Sequence, residues 1–213
     1  MSPMESSPGH SDHRALFEEI RARTGKISLE LGCGNHKVDP DAVGIDQLAL
    51  DGVDIVGDVA DVLRSLDDGS VSSIYSSHFL EHIADTRGLL AECGRVLQVG
   101  GTFTAVVPHF SSPFFYSDPT HTTAFGLYTF NYLVARSFTN HQVPQYAEAL
   151  PFAYRDATFS FKSSRPHYVR HAFKQLGRVV NWTTWTKELY EENWSWIFPA
   201  YEVRYDLERI AEQ

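Results

Sequence analysis

Positive charge, cysteine and long apolar runs are all scarce in this chain. Of its 213 residues, 18 are lysine or arginine and 27 are acidic, a formal net charge of −9. Nucleic acid and anionic membrane are therefore disfavoured as partners, because neither would be drawn to the surface. Cys33 and Cys93 have no CxxC or metal-ligand spacing and read as reduced thiols. No stretch approaches the roughly 18 consecutive apolar residues of a membrane span. No signal-peptide pattern is seen either, so a soluble, cytoplasmic protein is expected. A glycine is missing too. Gly32 and Gly34 follow an apolar run, but the third glycine of a dinucleotide fingerprint does not. Between Asn35 and Ala42 lies only HKVDPD, too short for the helix whose N-terminus would carry a pyrophosphate.

What is present is a run of strand ends carrying polar groups. ISLELGCGN spans Ile27 to Asn35, VGID ends in Asp46 and IVGD ends in Asp58. Acceptors at the carboxyl ends of neighbouring strands are what a nucleoside-binding α/β sheet needs. Gly32 and Gly34 allow a sharp turn and a close approach of backbone to ligand. Glu30 can accept from an ammonium group, Asp46 can hold two ribose hydroxyls, and Asp58 with the Val59 N–H can read an adenine edge. A ligand with those groups and no phosphate is S-adenosylmethionine (SAM).

ELGCGN, VGID, VGD, SSIYSSHFLEHI and LLAECGRVLQVGGTFTAVVP resemble, in order and spacing, successive motifs of class I SAM-dependent methyltransferases of the small bacterial type. The resemblance covers about residues 25–108. It implies a Rossmann-like α/β fold, a seven-stranded, mostly parallel sheet with helices on both faces and a cap inserted between strands 5 and 6. It also implies a SAM site formed by Glu30, Gly32, Gly34, Asn35, Asp46, Gln47, Asp58, Val59 and Ser77.

Residues 1–11, rich in Ser, Pro and Gly, are expected to be disordered. A single domain is expected over 12–213, opening with a helix in DHRALFEEIRART. Strands are expected near 27–32, 42–46, 53–57, 72–77 and 102–107, with helices near 60–66 and 85–97 and a turn at Gly100-Gly101. The final strands are expected at Val179–Trp185 and Tyr201–Leu207, which alternate. Residues 109–175 then form an acceptor-binding insert, crowded with aromatics and carrying a helix over 127–137. Lys162, Arg165, His167, Arg170, His171 and Lys174 form a basic cluster, either a solvated face or a hold on an anionic group.

Methyl transfer from a sulfonium needs alignment and a nucleophile with a free lone pair, and an alcohol must lose its proton as it attacks. His78, His109 and His121 are the candidate bases, two of them directly after strands 4 and 5. The same region carries HxxEH, with His78, Glu81 and His82 near one face of an expected helix. It resembles an ExxEH motif that binds a divalent cation in some methyltransferases, with His78 in place of the first Glu. His109 or His121 could complete such a shell, and imidazole favours cations softer than magnesium. Tryptophans in the second half suit stacking on sugar rings. DPTH and WSWIFPAYEVRYDLE resemble segments of methyltransferases of saccharide pathways, among them a mycobacterial enzyme that methylates the 1-OH of methylmannosides. A sugar hydroxyl is therefore the expected acceptor. Two alternatives stay open, a small-molecule N- or O-methyltransferase of natural-product metabolism and a catalytically silent SAM-binding partner protein. The aromatics of the insert also fit a homodimer.

Overall fold

A computed structural model describes residues 16–22, 25–161 and 174–211. Helix α1 (16–22) precedes β1 (Ser28–Leu31), β2 (Val43–Asp46), β3 (Ile55–Val56), α2 (Val59–Arg64) and β4 (Val71–Ser77). α3 (Thr86–Val96), β5 (Leu97–Pro108), α4 (Pro113–Ser117), β6 (Val134–Ser137), β7 (Leu150–Ser160), α5 (Lys174–Val180), α6 (Thr184–Asn193) and β8 (Glu202–Arg209) follow. The strands form one eight-stranded sheet in the order β3-β2-β1-β4-β5-β8-β7-β6. Only β8 runs against its neighbours; every other pairing is parallel. This is the expected mostly parallel α/β sheet with one extra edge strand. β1 (SLEL) is buried along its whole length and β2 (VGID) up to Asp46, because both faces of a parallel sheet are covered. Leu29, Leu31, Ile45, Ile74 and Phe103 supply the centre of that core. Among the described residues no helix is long and apolar enough to cross a membrane.

The second half departs from expectation. Val179–Trp185 is not a strand; it spans the end of α5 and the start of α6. Thr183 caps α6, its hydroxyl accepting from the Thr186 N–H while Thr186 reciprocates, and that capping box outweighs the alternating pattern. The missing strand is β7, inside the segment expected to be insert. A register shift between Tyr154 and Asp156 breaks its alternation, as a bulge does. The material over the sheet is thus split into 109–149 and the helical stretch that leads to β8. The expected helix over 127–137 is a 3-10 turn, Thr129–Tyr132, followed by β6. Gly100 and Gly101 lie within β5 rather than before it. The N-terminal segment 1–11 and all of the basic cluster but the backbone of Lys174 fall outside the described residues.

Three buried groups pin the cap to the sheet. Tyr205 and Tyr154 donate their hydroxyls to the carbonyls of Gly126 (2.7 Å) and Leu127 (3.0 Å). Glu191 of α6 accepts from the Leu127 N–H (2.7 Å). Phe125, Leu127 and Phe130 are fully buried and belong to the core, whereas Phe114 and Tyr116 stay exposed.

Candidate active site

The strand order reverses between β1 and β4, so the crevice at their carboxyl ends is the ligand position for such a sheet. The loop after β1 turns there on Gly32 (φ +65°) and Gly34 (φ +57°). A Cβ on Gly32 would stand 2.6 Å from the Phe79 ring, whereas one on Gly34 would meet no atom within 4 Å. The first glycine therefore serves packing between the β1 and β4 loops, and the second leaves open space along the backbone. Gly32→Ala is expected to cost about 1–3 kcal/mol from left-handed strain and the collision with Phe79, read as a lower urea midpoint.

Glu30 is buried and its carboxylate accepts from the N–H groups of Val38 (2.8 Å) and Asp39 (3.4 Å). Burial raises its pKa, partly offset by those two backbone donors. Its first task is thus to fold the 35–39 loop back over the end of β1. Asp46 accepts from the Gly34 N–H (3.1 Å) with one oxygen and the Leu48 N–H (2.9 Å) with the other, which fixes the carboxylate at the rim of the crevice. Asp58 is the N-cap of α2, accepting from Ala60 and Asp61, and its second oxygen accepts from the Gln47 amide (3.2 Å). Val59 buries its side chain, and its N–H, first in α2, has no acceptor within the helix. Asn35 is exposed in the same loop and Ser77 closes β4. The structure therefore brings the expected cofactor residues to one crevice. Cys33, in the middle of this loop, has its thiol pushed up to about 11 by burial and by the carboxylates of Asp46 and Glu30, so it remains protonated.

Beside that crevice, at the ends of β4 and β5, a cavity of about 450 Å³ is lined by His78, Phe114, Asp118, His121 and Tyr201 among others. None of the four tryptophans lines it. His78 follows β4 in a left-handed conformation, φ +52°, a strain that surrounding structure must hold in place. Its Nε2 is 3.3 Å from Glu202 and its Nδ1 is 3.4 Å from Glu81. Those carboxylates, Glu202 first, push the imidazole up to about 9. The raised pKa in the folded chain means that proton binding stabilises the fold below the ordinary histidine pKa. That contribution is lost as pH rises through about 9. In chelator-treated protein the thermal midpoint should fall between pH 6.5 and 9, and His78→Gln should flatten that slope.

His121 lies in the cap, with its Nε2 3.8 Å from Asp118 and 4.0 Å from Glu81. Asp118 is held below the usual carboxylate range by the hydroxyl and the N–H of Thr120. His109 belongs elsewhere. It is fully buried; its Nδ1 accepts from the Ser111 N–H (3.2 Å), and its Nε2–H donates to Glu191 (2.9 Å). Both ring nitrogens are used and the ring does not line the cavity, so its place after β5 made it look catalytic when it is packing. His109→Ala is expected to lose about 1–3 kcal/mol, because buried Glu191 would lose one of its two hydrogen-bond donors; equilibrium denaturation would show it.

The expected metal set of His78, Glu81 and His82 is also rearranged. Leu80–His82 is a single 3-10 turn, not a helix, and His78 lies between Glu81 (3.4 Å) and Glu202 (3.3 Å). Glu81, His82 and His121 instead place one ligand atom each within 4.8 Å of one another.

The family described as methyltransferase domain matches residues 35–105, which include Asp46, Asp58 and the β4 loop. A SAM-dependent methyltransferase from Archaeoglobus fulgidus has the same fold (TM-score 0.54, 17% identity, 92% of this chain and 94% of that one). Residues 35–105 thus match a methyltransferase domain, on a fold shared with SAM-dependent methyltransferases. Two further structures share the methyltransferase fold. One is a complex between the Haloferax volcanii Trm112 methyltransferase activator and a methyltransferase-type chain (TM-score 0.51, 14% identity, 98% and 100% covered). The other is phosphoethanolamine-type N-methyltransferase 2 of Haemonchus contortus, in complex with phosphomonomethylethanolamine and S-adenosylhomocysteine (0.51, 13%, 93% and 53%). No curated protein matches the sequence. The crevice bounded by Gly32, Asp46 and Asp58 lies at the edge of the matched stretch, with open space over Gly34 and a carboxylate at its rim.

Proposed function

We propose that the methyltransferase acts on a hydroxyl of a sugar or saccharide precursor held in the His78–His121 cavity. The observation that carries this reading is the lining of that cavity, two imidazoles and a carboxylate facing two aromatic rings, Phe114 and Tyr201. Polar groups at fixed points and flat apolar walls suit a ring that bears several hydroxyls. SAM, when bound, supplies an activated methyl on a sulfonium, whose carbon–sulfur electron pair stays on sulfur as the acceptor oxygen bonds to carbon. Asp46 and Asp58 hold the nucleoside, and Glu30 keeps the 35–39 loop closed on it. His78, charged by its two carboxylates, donates to an acceptor oxygen rather than taking a proton. His121 presents the lone pair that draws off the hydroxyl proton, because its Nδ1 is committed to the Phe115 carbonyl (2.8 Å).

Transfer of labelled methyl from SAM to a panel of monosaccharides, short methylated saccharides and phenols tests the acceptor class. Label in the saccharides is expected; label confined to phenols or amines would overturn it. Tight S-adenosylhomocysteine binding without turnover on any acceptor would favour a silent binding protein.

A further inference from the structure

We propose that Glu81, His82 and His121 form a binding site for a divalent first-row transition-metal ion beside the acceptor cavity, which His121 lines. Each of the three side chains supports this separately. The Glu81 side chain is only 1% exposed, and neither of its oxygens accepts a hydrogen bond. His78 Nδ1 lies 3.4 Å from one of them. The charge on His78 offsets the burial of this carboxylate, while the lone pairs of its oxygens stay open to a further cation.

The two imidazoles are held in the tautomer that a metal needs. The Thr120 hydroxyl donates its one proton to Asp118 (2.6 Å), so toward His82 Nδ1, 2.9 Å away, it can only accept. Nδ1 of His82 therefore carries the proton and Nε2 carries the lone pair. His121 Nδ1 faces the Phe115 carbonyl at 2.8 Å, which also can only accept, so its Nε2 is the lone-pair nitrogen too. Second-shell partners of this kind, a carbonyl and a hydroxyl backed by a carboxylate, fix ring orientation at metal centres. The rings meet edge to face with centroids 4.8 Å apart, and His121 Nε2 lies 4.0 Å from the Glu81 carboxylate.

The scaffold is stiff. The Glu81 carbonyl accepts from the N–H groups of Thr122 (2.7 Å) and Thr123 (3.1 Å) and the Thr122 hydroxyl (3.2 Å), and the Thr123 hydroxyl donates to the Ile83 carbonyl (3.1 Å). These bonds stitch the cap loop to the turn after β4, so the ligands converge although they lie about forty positions apart. Two imidazoles and one carboxylate suit zinc, cobalt, manganese or iron and discriminate against magnesium. Cation charge here would make a hydroxyl in the cavity easier to deprotonate. With a cation bound, His121 would act through that charge; it takes the hydroxyl proton itself, as proposed above, in the metal-free chain. That role rests on the acceptor reading above, whereas occupancy of the site does not.

Calorimetric titration of the chelator-treated full chain with Zn²⁺ and Co²⁺, beside Mg²⁺, tests it without reference to activity. One equivalent of Zn²⁺ is expected to bind, with Co²⁺ giving a visible absorption band of low-symmetry coordination. Glu81→Gln and His121→Ala are expected to abolish that equivalent. Thr120→Val, which only frees the His82 ring, is expected to weaken it by about 10–100-fold. His141→Ala, an exposed histidine elsewhere, should change nothing. S-adenosylhomocysteine binding by each variant reports that it has folded. Absence of stoichiometric binding, equal affinity for Mg²⁺, or binding that survives both Glu81→Gln and His121→Ala would overturn the proposal. Metal binding without methyl transfer to any sugar would retain the site and sink the acceptor assignment.

Discussion

Asp46→Ala should weaken S-adenosylhomocysteine binding by at least about 100-fold, because two charge-assisted hydrogen bonds to ribose hydroxyls contribute about 1.5–3 kcal/mol each. The carboxylate is pre-positioned for that task. One oxygen is aligned by the Gly34 N–H and the other by the Leu48 N–H, so little ordering remains to be done when the nucleoside arrives. Removing it also loosens the Gly34 turn, which raises the loss further. Asp46→Asn keeps the shape and one acceptor and should fall between the two. Calorimetry on folded protein, with the unfolding midpoint as control, measures this. An affinity within threefold of the unchanged chain would mean that Asp46 only braces the loop and that the cofactor sits elsewhere.

The second large effect is expected at His121. His121→Ala should lower turnover by about 10²–10⁴-fold, the span of general acid–base contributions, while S-adenosylhomocysteine affinity stays within a few-fold. The separation follows from geometry. The imidazole is anchored to Phe115 in the cap and its contacts are with Phe115, His82, Glu81 and Asp118, none of them a residue proposed to hold the nucleoside. The reading distinguishes whether the residue acts on the acceptor or only supports the fold. Equal loss of cofactor affinity and turnover would reduce it to a structural element of the cap. Single-turnover measurements at saturating SAM, compared with the pH profile of the unchanged protein, give the cleanest comparison.

The first half of the chain was legible because its determinants are local. Each of ELGCGN, VGID and VGD is a strand and the turn that follows it, so strand, turn and polar group can be read from one short window. Parallel order and ligand crevice then follow from general rules of open α/β sheets. The same logic failed at VVNWTTW, where alternation in sequence is shared by a strand and by a capped helix with exposed aromatics. It failed again at β7, whose bulge hides its period.

His78, His109 and His121 were all visible as histidines near strand ends, but their chemistry was not. His109 was removed from the site by Glu191, 82 positions away, which takes its ring nitrogen in the core. His78 was charged by Glu202, which β8 brings alongside β5 from the far end of the chain. His121 was joined to Glu81 and His82 by the hydrogen bonds of a cap loop. Sequence by itself determined the glycine turn after β1 and the carboxylates that end β2 and open α2, because backbone conformation after a strand depends on neighbouring residues. Tertiary structure alone decided which side chains face one another in the acceptor cavity, because charge state, tautomer and burial are set by partners distant in the chain.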